Sequence, residues 1–342
     1  MRRRIAACLP LLPWLALGAA EARAQPAAAF PDRPIQLLVG FTPGGNIDLA
    51  ARLVAPFLER NLGGGATITV VNRPGAGGTI MLNELAREAR PDGHVAGFAA
   101  FPALVAALHD PGGAAPRYRL DSFAYVGLLT DEPYTLFVGA ATPYRSLADL
   151  VAAARAAPDT IAIAGAGAGL TSTPRMALAQ LERVAGIRFT WVPMQGAAQA
   201  LALVQGGHAA GAVSTVSLTV KQHQEGQVRI LGLMDERRWD PAGDVPTFRE
   251  QGFAVQAGSA RGIVLPAATP GPVRRRWEDA IRRTAGDPAF RALAERDNVV
   301  VRHLDQAGLT ALVAAQDREH AALAAQAAGA GGTAAAGGGA PR

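Results

Sequence analysis

Short apolar runs bounded by polar or glycine-rich segments recur along the chain, at Ile35 to Phe41, Thr67 to Val71, Val95 to Phe101, Phe123 to Leu129, Leu136 to Ala140, Ile161 to Ala164, Phe189 to Val192, Ile230 to Met234 and Gly262 to Leu265. Each has the length of a β-strand, and helix-like stretches separate them. Between the first two runs, Leu49, Leu53, Phe57 and Asn61 recur at helical spacing, while Pro56 predicts a kink or an early end. Strand-helix alternation of this kind predicts parallel α/β sheets with right-handed crossovers. Open sheets of that class bind ligands beyond the carboxyl ends of their strands.

The turn after the first predicted strand carries the strongest chemical signal. Residues 40 to 52 read GFTPGGNIDLAAR, so a strand breaks at Phe41, Thr42, Pro43, Gly44 and Gly45 and then opens a helix whose first turn contains Asp48. Glycines without a Cβ let a ligand approach the main chain, and the helix adds unpartnered N–H groups and a positive dipole end. The corner suits an anion, a carboxylate or a phosphate. Asp48 has two readings, as a complement to the helix dipole or as a ligand contact made through water, a backbone N–H or a ligand amino or hydroxyl group.

The chain ends place that corner outside the cytoplasm. Arg2, Arg3 and Arg4 precede an apolar run from Ile5 to Ala20, and Ala22-Arg23-Ala24 offers a small-x-small cleavage site, so residues 1–24 are expected to be a signal peptide. The run is too short, and too interrupted by Pro10 and Pro13, for a membrane span of roughly 20 residues. Cys8 is the sole cysteine and lies in this leader, so the mature chain has no thiol chemistry. Removing the leader deletes four arginines and Glu21, which takes the formal net charge from +5 to +2. That balance makes no case for nucleic acid. The Ala/Gly segment at 324–342 is expected to be a disordered tail, because it has too little apolar bulk to offset its ordering entropy, and the roughly 300 residues that remain suggest two domains.

A second glycine-rich turn, AGAGAGLTSTPR at 164–175, again follows a strand-like run and opens a helix. Gly167, Gly169, Thr171, Ser172 and Thr173 are candidate ligand contacts there, although such hydroxyls are equally at home as helix caps. Arg175 offers a guanidinium that could fork a carboxylate. Gly196 and Ala197 open a further helix and add candidate N–H donors. Asn72, Arg73 and Gly75 to Gly78 are expected to shape the rim of the first turn. Two corners widely separated in sequence can face each other across a cleft and grip one small anion from both sides.

The ordered segments PDRPIQLLVGFTPGGNIDLAAR, VNRPGAGG at 71–78, PDGH at 91–94, VPMQGAAQALALVQGG at 192–207, DVPTFREQGF at 244–253 and GIVLPAATP at 262–270 resemble the Bug/TctC family, the extracytoplasmic solute receptors of tripartite tricarboxylate transporters. The resemblance covers nearly the whole mature chain. It implies an α/β, two-lobed periplasmic-binding-protein fold of type 2, each lobe a mostly parallel sheet flanked by helices, joined by two crossover strands. Lobe 1 is expected at 25–130 and 262–323 and lobe 2 at 131–261, with a hinge near Leu129 to Leu136 and Ala257 to Ile263. The ligand would be a small organic anion bearing a carboxylate, and the partners integral-membrane permease subunits. A monomer is expected, with no cofactor and no metal. The first turn matches the family's pattern at Phe41, Thr42, Pro43, Gly44, Gly45 and Asp48. The second departs from it: where relatives show Gly-Ser-x-Gly-x-Gly-Ser followed by His, this chain has Gly165, Gly167, Gly169, Thr171, Ser172 and Thr173 before Pro174-Arg175.

Catalytic readings find little support. The chain contains no GxxxxGK[ST], HExxH or GxSxG motif, and its mature histidines are scattered singly without metal-ligand spacing. The alternatives to a transport receptor are a sensing subunit that signals to a membrane kinase and, more remotely, a secreted hydrolase.

Overall fold

The computed structural model describes residues 30–110, 115–167 and 172–336; the expected leader at 1–24 lies outside them. In chain order the elements are β1 (Ile35–Val39), α1 (Asn46–Leu62), β2 (Ile68–Asn72), α2 (Thr79–Arg87), β3 (Val95–Ala100), α3 (Phe101–Ala106), β4 (Phe123–Gly139), α4 (Leu147–Ala156), β5 (Ala162–Ala166) and α5 (Thr173–Ala185). They continue with β6 (Thr190–Met194), α6 (Ala197–Gln205), β7 (Gly211–Thr215), α7 (Val216–Gln224), β8 (Val228–Leu233), β9 (Gly258–Pro266), α8 (Gly271–Gly286), α9 (Pro288–Arg296), β10 (Val301–Leu304) and α10 (Gln306–Ala336).

Two lobes arise because two sets of parallel strands are stitched to one long strand. β2, β1 and β3 pair in parallel, and β9 joins β3 antiparallel. β7, β5 and β6 form a second parallel set. β4 serves both: it pairs antiparallel with β9 and β10 in the first lobe and with β7 and β8 in the second. The sheets are therefore mixed, with a parallel heart and antiparallel margins, and not mostly parallel as the alternation alone implies.

Strand direction now locates the cleft. β4 runs from the first lobe to the second; β3 is antiparallel to β9, which is antiparallel to β4, so β1 and β3 also run toward the second lobe. β7 is antiparallel to β4, so β5, β6 and β7 run back toward the first lobe. The carboxyl ends of both parallel sets consequently point at each other. β4 and β9 cross between the lobes side by side, paired antiparallel from Phe123↔Pro266 to Pro133↔Gly258 with register shifts between Tyr125 and Gly127 and between Leu128 and Thr130.

Each lobe buries apolar residues on both faces of its sheet. Ile35, Leu37, Val54, Leu58, Phe98, Ile263 and Trp277 belong to one cluster of the first lobe, and Leu38, Phe101, Leu104, Val264 and Leu309 to the other. Leu136, Leu150, Ile163, Leu178 and Phe248, and separately Phe137, Ala200, Val216 and Ile230, do the same in the second. Among the described residues no helix is long and apolar enough to cross a membrane.

Several local expectations change. α1 continues through Pro56 for 17 residues, and its buried stripe is Ile47, Ala50, Ala51, Val54, Ala55, Leu58 and Leu62, while Leu49 is 57% exposed. The small alanines bring the helix close to the sheet, a signal that the larger Leu49–Leu53–Phe57 spacing masks. Phe123 to Leu129 and Leu136 to Ala140 are one strand, because the polar run between them is paired across the lobes and buried. β7 and β10 were not expected; Gly211-Ala212-Val213-Ser214-Thr215 and Val301-Arg302-His303-Leu304 are too short and too polar to stand out.

α10 extends through the Ala/Gly segment to Ala336. Alanine has the strongest helix propensity, which composition-based reasoning about core formation overlooks. Its packed part lies earlier, at Leu309, Val313 and His320. A chain ending at Leu323 is accordingly expected to unfold at the same midpoint as the full chain and to bind ligand equally well. Calorimetric unfolding and a binding titration on the shortened chain check this; a drop in either would give the last turns of α10 a role.

Candidate ligand-binding site

The first turn is held by a buried carboxylate. Asp48, 1% exposed, accepts from the N–H of Gly44 at 2.9 Å, from Asn72 Nδ2 at 2.8 Å and from Arg52 Nε at 3.0 Å. Asn72 Nδ2 also donates to the carbonyl of Phe41 at 2.9 Å, so strand β2 clamps the turn from the side. Gly44 adopts φ 79°, a left-handed conformation that glycine takes without steric cost. Behind it, Gly40 approaches Gly78 so closely that a Cβ on Gly40 would lie 2.7 Å from the Gly78 Cα. Asn72 and the Gly75 to Gly78 turn thus support the first corner from below.

Asp48 is a brace here and not a free contact. Burial pushes its carboxyl pKa up, but hydrogen bonds from Arg52, Gly44 and Asn72 outweigh this and hold the group below its ordinary value. Its charge is balanced by Arg52, so it does not present an unpaired anion to a ligand. The Gly44 N–H is spent on this brace. Among the described residues, no hydrogen bond uses the N–H groups of Asn46 and Ile47, which open α1, and Gly45 is the N-cap without a side-chain partner. Phe41, Thr42 and Pro43 line the outside of the corner, Thr42 and Pro43 exposed.

The second corner is built differently. Gly169 and Thr171 fall outside the described residues. Gly167, at φ 80°, donates its N–H to Met194 O at 2.8 Å and accepts from Trp191 Nε1 at 3.1 Å, which ties the ends of β5 and β6 together. Ser172 is a helix cap: its hydroxyl donates to Ala166 O at 2.7 Å and accepts from Arg175 N at 3.2 Å, and it is 4% exposed. Thr173 shares a hydrogen bond with the Tyr134 hydroxyl at 2.5 Å, a contact that links α5 to β4.

Arg175 is not offered to the cleft as a free guanidinium. It pairs with Glu182 at 2.7 Å along its own helix and lies over the Trp191 ring, 6.0 Å from the centroid. Gly165 makes room for that ring, since a Cβ there would sit 2.2 Å from Trp191 Cη2. Gly165→Ala is therefore expected to displace Trp191, cost about 1–3 kcal/mol by overpacking, and shift the tryptophan emission of the folded protein. Unchanged emission and stability would show that the ring does not depend on this glycine.

Gly196 is the N-cap of α6, and the N–H groups of Ala197 and Ala198 make no hydrogen bond with any described residue. One further turn went unnoticed because β7 did. Thr215 precedes α7, and its hydroxyl lies 3.2 Å from that of Ser217, which in turn donates to Glu132 on β4. Ser214-Thr215-Val216-Ser217 carries a cap-like signal that would have found it had the strand been recognised.

Two α/β lobes joined by paired crossing strands, with helix-opening turns directed from both sides into the space between, define a two-lobed solute-binding protein. The chain belongs to the tripartite tricarboxylate transporter receptor family: residues 50–327 match the family described as TctC, Tripartite tricarboxylate transporter family receptor. It is 30% identical over 291 residues to a protein encoded between tcbD and tcbE in Pseudomonas sp. strain P51, a match covering 84% of this chain and 83% of the relative. Among solved structures it is similar to the periplasmic binding protein BugD, at 26% identity and TM-score 0.74 over 87% of this chain and 99% of that one. It is also similar to MatC of Rhodopseudomonas palustris with bound malate, at 27% identity and TM-score 0.72 over 86% of this chain and 100% of that one. The family consists of transport receptors that act outside the cytoplasm and are not enzymes.

Proposed function

We propose that the protein is exported by cleavage of a leader at 1–24, acts as a monomer, and captures a small carboxylate between lobe 1 (25–130 and 262–323) and lobe 2 (131–261). It then delivers that ligand to the membrane subunits of a tripartite tricarboxylate-type permease. One observation carries the site. The first-turn N–H groups of α1 at Asn46 and Ile47, and of α6 at Ala197 and Ala198, have no partner among the described residues and open helices at strand ends that face the cleft. Helix N-termini of this kind favour carboxylates through both hydrogen bonds and dipole, and malate occupies the similar protein MatC.

In this reading Phe41, Thr42, Pro43, Gly44 and Gly45 form the first wall and Gly167, Thr173, Gly196 and Ala197 the second. Asp48, Ser172 and Arg175 hold those walls in shape. Closure follows from two-sided contact, because a ligand favours the closed arrangement only by its extra contacts there. β4 and β9 are the hinge.

A thermal-shift panel of dicarboxylates, tricarboxylates, acidic amino acids, aromatic acids and amides on residues 25–342 tests the proposal. A ligand at about 100 times its Kd stabilises by about 2.7 kcal/mol. Stabilisation by amides and neutral solutes alone, with every carboxylate inert, would overturn it.

A further inference from the structure

The helix that opens at the second corner is also tied to the first lobe. α5 packs Ala177, Leu178 and Leu181 into the second lobe's core, while α10 packs Leu309 and Val313 into the first lobe's. Gln180 of α5 meets α10 instead. It is 8% exposed, and its Nε2 donates to Oε1 of Glu319 on α10, 139 residues away in the chain. The two lobes are thus joined by a side-chain bond as well as by the crossing strands β4 and β9.

Apolar packing does not close this contact. A cavity of about 240 Å³ is lined by Leu312, Ala315 and Gln316 of α10 and by Thr173, Met176 and Ala177 of α5. Gln180 and Glu319 stand on its wall, and among the described residues theirs is the only hydrogen bond that joins the two helices. Burial raises the Glu319 pKa, with Arg183 and Gln180 opposing, so the carboxylate depends on those two groups. Arg183 is exposed, and water and salt screen its attraction. The Gln180 amide is therefore the group whose removal strands a half-buried carboxylate, which is costly.

We infer that Gln180 and Glu319 are positioning residues: their bond latches α5 to α10, holds the two lobes together before a ligand arrives, and so keeps the second corner facing the first. Ser172 and Thr173 open the helix that carries Gln180, so a restraint on its body is a restraint on the corner. A latch beside a two-strand crossing limits hinge rotation. The latch itself needs only the two-lobed architecture. Its bearing on affinity rests on the carboxylate reading above, because apparent affinity scales with the fraction of molecules already competent to bind.

Small-angle X-ray scattering of residues 25–342 with no ligand added tests the latch. Gln180→Ala and Glu319→Ala are each expected to raise the radius of gyration above the parent's, with native helix content by circular dichroism. The double variant is expected to raise it no further, since either change removes the same bond. Glu319→Gln keeps an acceptor oxygen and is expected to retain the parent's radius. An unchanged radius in both alanine variants would make the bond incidental. An increase in Glu319→Gln equal to that in Glu319→Ala would show that the acceptor plays no part, and either result overturns the inference. A panel in which no carboxylate binds would overturn the function proposed above and leave these radii as they are.

Discussion

Arg261→Met is expected to lower the free energy of unfolding by about 3–5 kcal/mol, because it strands a buried carboxylate without its counter-charge. Arg261 is fully buried on β9 and pairs with Glu132, 1% exposed, on β4; its Nε also donates to Ser259 Oγ at 3.1 Å. These are the two strands that cross between the lobes. Glu132 further accepts from Ser217 at the start of α7, so the crossing strands are tied to the second lobe's third strand-end turn. The pair is incompletely satisfied, since Arg261 Nη2 and the facing Thr130 Oγ1 have no hydrogen-bond partner among the described residues. Replacing both charges, in Glu132→Leu/Arg261→Met, should then recover most of the loss, as desolvation of two ions is avoided. Urea unfolding of the three proteins at pH 7 checks this. A single variant within about 1 kcal/mol of the parent would show that Glu132 finds another partner or reaches water.

That ion pair also shows where sequence reasoning stops. The strand before the first corner, the turn itself and the following helix were legible because apolar runs and glycines mark them locally. The crossing was legible only through the family resemblance, which put two crossover strands near Leu129 to Leu136 and Ala257 to Ile263; by local pattern alone, Thr130-Asp131-Glu132-Pro133 looks like a loop until its partner segment, Gly258-Ser259-Ala260-Arg261, is known to lie beside it. Pairing between residues about 130 apart in the chain is a property of the folded topology, and no local pattern encodes it. The same holds for Arg175. A guanidinium near a glycine turn suggests a ligand contact, but Glu182, seven residues on, is close enough to claim it. Asp48 was ambiguous for a related reason, since the sequence shows a carboxylate in a first turn but not Asn72 arriving from β2.

Asp48→Ala is expected to lower carboxylate affinity about 100-fold, roughly 2.8 kcal/mol at about 1.4 kcal/mol per tenfold change. The side chain closes a loop of contacts: Gly44 N–H at 2.9 Å, Asn72 Nδ2 at 2.8 Å and Arg52 Nε at 3.0 Å. Without it Gly44 loses its anchor, and glycine at that point can leave φ 79° freely, so the N–H groups of Asn46 and Ile47 are no longer held in one direction. The variant should bind weakly while the second lobe's turns remain intact. Acid titration separates this from general damage. The folded Asp48 carboxyl sits below its ordinary value despite burial, owing to Arg52, Gly44 and Asn72, so its stabilisation is fully present above the unfolded carboxylate pKa of about 3.9. It is lost only as pH falls through the lower folded value. The parent protein should therefore lose that contribution below about pH 4, whereas Asp48→Ala should lack it at every pH. Calorimetric titrations at pH 7 with the carboxylate that gives the largest thermal shift, and unfolding of both proteins between pH 7 and pH 3, read out the two effects. Equal affinity for that carboxylate in the two proteins would remove the first corner from the binding site.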